Sequence, residues 1–75
     1  MKEREMELFH FTNAVGETCF VFLLCDAAGA QAIKQHRQRK QEVDFCAHGE
    51  VVVHGVGAPS DDVLEEMHAH YGYAG

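Results

Sequence analysis

Thr18-Cys19-Phe20-Val21-Phe22-Leu23-Leu24-Cys25 is the stretch whose reading decides the fold. Its eight residues include no charge, no Gly and no Pro, and they are rich in β-branched and aromatic types. A run of that kind reads as a strand buried on both faces. Upstream, Glu5 to Thr12 reads as a second strand, separated from the first by Asn13-Ala14-Val15-Gly16-Glu17. Asn suits the first position of a type I turn, and Gly the left-handed position that closes it. A two-residue type I′ turn would force Val15 to positive φ, which a β-branched residue resists. The longer loop pairs Asn13 with Glu17, so Phe11 should face Cys19, Phe9 should face Val21 and Leu8 should face Phe22.

Downstream, Asp26 is placed to cap a helix from about Ala27 to Arg39, with Ala27, Ala30 and Ile33 as its narrow apolar stripe. The tetrapeptide Ala14-Val15-Gly16-Glu17 then returns as Ala47-His48-Gly49-Glu50, an offset of 33 residues. The flanking pattern keeps its order: Glu42 to Cys46 and Glu50 to Gly55 alternate like a second hairpin, and Ser60 with Asp61 and Asp62 opens a second helix. Val63, Leu64, Met67 and Tyr71 form its apolar face, and Gly72 suits its C-terminus. The expectation is an α+β fold built as ββαββα. It has a four-stranded, mainly antiparallel sheet from two ββα units, with both helices on one face and strand order open. Residues 1–75 are taken as one small domain.

Two helices on one face leave the other face bare. That face carries Phe9, Phe11, Cys19, Val21, Leu23 and Cys25, a contiguous apolar patch of the sort that marks an interface. Phe9, Phe11, Cys19, Val21 and Leu23 are therefore expected to contact a protein partner, in the first instance a second copy in a homodimer. Lys34, Arg37, Arg39 and Lys40 make the first helix basic, and Asp61, Asp62, Glu65 and Glu66 make the second acidic. Side by side, the two helices could pair their charges.

The net charge of −6 is unevenly distributed: residues 41–75 hold seven acids and no Lys or Arg. Phosphate neutralisation drives general nucleic-acid binding, so no direct nucleic-acid partner is expected. The acidic half suits a basic protein surface, with Asp61, Asp62, Glu65 and Glu66 as the binding residues. No apolar run reaches the length of a membrane span, and no signal-peptide core follows the charged start, so a cytoplasmic location is expected. Three cysteines without a secretory signal read as reduced thiols. Cys19 and Cys25 lie about 20 Å apart along one strand, too far to bridge.

The densest metal-like cluster is Cys46-x-His48 with His54, but zinc wants four convergent ligands at paired spacings, and no metal or cofactor is expected. Glu65-x-x-His68 lacks the companion motifs of carboxylate-bridged metal sites. Gly55-Val56-Gly57 leads to a helix start, where Asp61 and Asp62 would repel a phosphate. Cys25 at a strand-to-helix junction lacks an evident base. The resulting expectation is a small, acidic, non-catalytic protein-binding module, an inhibitor or adaptor. An inhibitor of a nucleic-acid-handling complex, such as a phage-encoded anti-CRISPR protein, is one instance. The alternative is a small Cys/His metal-binding or thiol enzyme.

Overall fold

The computed structural model describes residues 3–73, so Met1 and Lys2 of the charged start lie outside it. Strands β1 (Glu5–Thr12) and β2 (Thr18–Cys25) form an antiparallel hairpin with Phe11 opposite Cys19, Phe9 opposite Val21 and Leu8 opposite Phe22. The expected turn is present. The Asn13 amide donates to the Glu17 carbonyl at 3.0 Å, the Gly16 amide donates to the Asn13 carbonyl at 3.1 Å, and Gly16 has φ +86°. The Asn13 side-chain carbonyl also accepts from the amides of Val15 and Glu17, at 3.1 and 2.9 Å, so the loop supplies its own hydrogen bonds.

Helix α1 (Ala27–Gln38) follows, with the Asp26 carboxylate accepting from the Gly29 amide at 2.8 Å. After a short 3₁₀ turn at Phe45–Ala47, strand β3 (Glu50–Val56) pairs antiparallel with β2, and helix α2 (Asp61–Tyr71) is the last element among the described residues. The Ser60 hydroxyl caps α2 by accepting from the Val63 amide at 3.3 Å, and Gly72 ends it at φ +70°.

Among the described residues the sheet has three strands in the order β1-β2-β3, not the expected four. The helices lie on opposite faces, not on one. Alternation along β2 divides the core accordingly. Val21, Leu23 and Cys25 pack with Phe9 and with Ala30 and Ile33 of α1. Phe20 and Phe22 pack on the other face with Met6 and with Met67 of α2. The uninterrupted apolar run of β2 thus reflects a central strand covered twice, as its composition required. With the sheet between them, the basic α1 and acidic α2 are not the side-by-side pair that their charges suggested.

The segment 42–46 is not a strand. Its alternation nevertheless reports burial correctly, because Val43 and Phe45 both turn inward onto the α1 face. The Phe45 ring lies 5.8 Å from Phe9 and 5.6 Å from Phe11, centre to centre. What prevents a second hairpin is the path of the next residues. A Cβ on Gly49 would fall 2.6 Å from the Leu24 carbonyl oxygen and 2.8 Å from Cys25 Cβ. A Cβ on Gly29 would collide with the His48 carbonyl oxygen. His48 and Gly49 are therefore wedged between the end of β2 and the first turn of α1. Gly16 is a turn glycine at positive φ, whereas Gly49 is a close-approach glycine, so the recurring tetrapeptide encodes two different structures. Val43 and Phe45 in this path cover Phe9, and burying a Phe side chain contributes about 1.5–3 kcal/mol.

In β3 the register shifts between Phe22 and Leu23, which pair with Val53 and Val51, leaving Val52 as a bulge. Both Val52 and Val53 then face α2. Gly55 sits under the Phe20 ring, which would lie 3.0 Å from a Cβ there.

Candidate interaction surfaces

The apolar face expected to meet a partner is filled from within the chain. Phe9, Cys19, Val21 and Leu23 are 3, 5, 2 and 0 % exposed. They lie beneath α1 and the 43–45 segment, and Phe11 alone of the five is exposed, at 36 %. The patch that motivated a homodimer through this face is therefore the chain's own second core.

The acidic residues fare differently. Asp61, Asp62, Glu65 and Glu66 are all exposed on α2, while Met67 anchors the helix at 1 % exposure and Val63 and Leu64 pack beside it. The spacing 61–65 and 62–66 stacks carboxylates one turn apart in two adjacent rows. Each like-charge pair at i,i+4 costs about 0.2–0.5 kcal/mol. Asp61 and Asp62 offset this in the positive first turn of the helix, where an acid contributes about 0.3–1 kcal/mol. Glu65 and Glu66 lie beyond that turn.

Among the described residues, no group of three or more His, Cys, Asp or Glu side chains is arranged to hold a metal ion. Cys46 is exposed on the 3₁₀ turn. His48 lies beside His36 of α1, ring centres 5.7 Å apart. His54 is across from Val21 on β3. Cys46 and His48 thus share the 3₁₀ turn and its cap, while His54 lies apart on β3. His68 is occupied structurally, with its Nδ1 2.9 Å from the Tyr73 carbonyl oxygen past the end of α2. Cys25 is 2 % exposed, and burial pushes its thiol up from the ordinary 9.0, with the charges of Glu7 and Asp26 pushing the same way. A nucleophilic thiol needs the opposite shift.

A groove that the sequence reading missed opens at the end of β1. His10, Phe11 and Thr12 of β1 line it together with Arg37, Lys40 and Phe45, around a volume of about 620 Å³. Its far wall is shaped by the end of α1. Lys40 adopts φ +56°, and the Gln41 amide returns to the His36 carbonyl at 2.9 Å. The polar run 34–41 held the signal for this wall, but its partner across the groove follows only from the packing of Phe45. No helix among the described residues is long and apolar enough to cross a membrane. Comparison with known proteins finds no matching family model, no similar curated protein and no similar solved structure.

Proposed function

We propose that this chain is a small, non-catalytic protein-binding module, an inhibitor or adaptor, whose working surface is the acidic outer side of α2. The observation that carries this reading is the stacking of four exposed carboxylates on one side of α2 with no Lys or Arg between them. A surface chosen for folding alone would interleave bases there, as i,i+4 pairing favours. Residues 41–75 contain no Lys or Arg at all. Glu65 and Glu66, beyond the first turn, break that rule without a gain from the helix dipole, which points to a site with another purpose.

The partner that suits such a helix is a basic protein surface. One such surface is the nucleic-acid groove of a nucleic-acid-handling complex, where the carboxylates would stand in place of phosphates. An anti-CRISPR inhibitor would act in this manner. The helix is well suited to present charge rigidly, because Ser60, Gly72 and the buried Met67 hold both ends and the underside.

The test is capture from a nuclease-treated cell extract on the immobilised chain, beside a variant carrying Asp61→Asn, Asp62→Asn, Glu65→Gln and Glu66→Gln. The reading expects a protein retained by the wild type, lost with the variant and released by added duplex DNA. The same set of retained proteins on both, or none on either, would remove it.

A further inference from the structure

We propose a second binding surface: the groove beside β1 takes an extended acidic peptide that adds as a strand to the outer edge of the sheet. Three observations carry the proposal, none of them involving the acidic helix.

The first is the main chain of β1. The Gly57 amide donates to the Thr18 carbonyl at 2.7 Å, so the even-numbered residues of β2 direct their hydrogen bonds toward β3 and the odd-numbered ones toward β1. The pairs Phe9–Val21 and Phe11–Cys19 are accordingly the hydrogen-bonded ones. Asn13, bonded to Glu17 at 3.0 Å, continues the same alternation. The amides and carbonyls of Leu8, His10 and Thr12 are then turned outward, away from the sheet. His10 and Thr12 line the groove although their side chains alternate toward the α2 face, which fits an edge presented to it.

The second is the contrast between the two edges. The outer edge of β3 is interrupted by the bulge at Val52 and by Gly55. Bulges of this kind guard sheet edges against pairing. The β1 edge is eight residues long, unbroken in register, and contains neither Pro nor Lys. Its guards are Glu5 and Glu7, both in its first half. The second half, which borders the groove, carries none.

The third is charge. Four of the chain's basic side chains, Lys34, Arg37, Arg39 and Lys40, lie within seven residues at the end of α1. Arg37 and Lys40 line the groove, with Glu42 as its single acid. Exposed Phe11 packed on Phe45 offers an apolar seat between strand edge and bases. Strand addition derives affinity from main-chain hydrogen bonds and selectivity from alternate side chains. An alternating acid/apolar peptide matches that arrangement: its acids share the α1 side, toward Arg37 and Lys40 with their methylene stems over Phe11 and Phe45, and its apolar groups lie on the other side, beside Leu8. Glu5 and Glu7 would repel the same peptide from the first half of the edge, which sets its position.

The test uses the full chain, ¹⁵N-labelled, titrated with a terminally blocked alternating Glu/Val peptide of about six residues, a typical strand length. Amide shifts are expected at Leu8, His10, Thr12 and residues 37–43, with none for a Lys/Val peptide. Arg37→Glu with Lys40→Glu, both exposed, should weaken binding about tenfold. Thr12→Pro removes an outward amide without touching a bond to β2, and Pro is tolerated at such edge positions. It should abolish binding while Thr12→Ala retains it. No peptide-induced shifts, or equal shifts with the Lys/Val peptide, would overturn the proposal. So would shifts at these residues produced instead by a single-stranded oligonucleotide, or by raising the concentration of the chain alone.

Discussion

Replacing Gly29 with Ala tests the unusual path of the chain at its tightest point. In an exposed helix the change stabilises by about 0.8–1.0 kcal/mol, because Ala is the better helix former. Gly29 lies in the first turn of α1, buried, with the position of a Cβ occupied by the His48 carbonyl oxygen. That oxygen belongs to backbone held against the end of β2, where Gly49 has no slack beside Leu24 and Cys25. A methyl group therefore has to lift α1 off the sheet or displace the His48–Gly49 segment. Overpacking of this kind costs about 1–3 kcal/mol, and a pinned carbonyl places it at the upper end. Set against the propensity gain, a net loss of about 1–2 kcal/mol is expected. A chain of this size is stable by about 4–11 kcal/mol in all, so the loss is a sizeable share. It corresponds to a fall of about 5–15 °C in Tm. Thermal unfolding followed by far-UV circular dichroism reads it directly, with exposed Gln31→Ala as the propensity control. A Gly29→Ala variant as stable as the wild type, or more stable, would refute the wedged path and with it the reason for a three-stranded sheet.

Phe45→Ala should cost about 2 kcal/mol in urea unfolding, since a half-buried ring on Phe9 and Phe11 is lost; a change below about 0.5 would mean that the 43–45 segment does not cover that face. Glu65→Gln with Glu66→Gln should raise stability by about 0.5 kcal/mol through relief of two like-charge pairs, while weakening partner capture; a destabilised variant would contradict the carboxylate stacking. Of the three thiols, Cys46 should react at once with a maleimide in the native chain, and Cys19 and Cys25 only after denaturation. The folded chain holds the Cys25 proton to higher pH than the unfolded chain does. Its contribution to stability is thus complete below about 9 and is lost as pH rises from there through the raised folded value. Cys25→Ala should flatten the alkaline limb of the stability profile, and an unchanged limb would exclude that origin.

The parts of the fold legible in the sequence are those set by local chemistry. Asn13 and Gly16 specify the hairpin loop and hence its register, and Asp26, Ser60 and Gly72 mark helix ends through short-range hydrogen bonds and φ. Even the burial of β2 on both faces could be read from its composition. What could not be read is which long-range surface each apolar side chain meets. Val43 and Phe45 alternate as a strand would, but alternation records the direction of side chains and not the partner of the main chain. The recurrence of Ala-x-Gly-Glu hid two different uses of glycine. Helix side was equally illegible, because Ala30 and Ile33 form a stripe that fits either face. The same gap concealed the groove: Phe11 and Phe45 are distant in sequence, and their contact follows only from the fold of the 43–45 segment. The acidic surface of α2, by contrast, depends on helix spacing alone and could be placed from residue numbers.

The placement of α1 and α2 on opposite sides of β2 underlies the closed apolar face, the isolation of the acidic helix and the open β1 edge. Methyl nuclear Overhauser contacts of Ile33 and Met67 in the free chain measure it most directly. Ile33 should show contacts to the Phe9, Val21 and Leu23 group, and Met67 to Met6, Phe20 and Phe22, with no crossing between the sets. Contacts from both methyls to one and the same set would put the helices together on one face and leave the other bare.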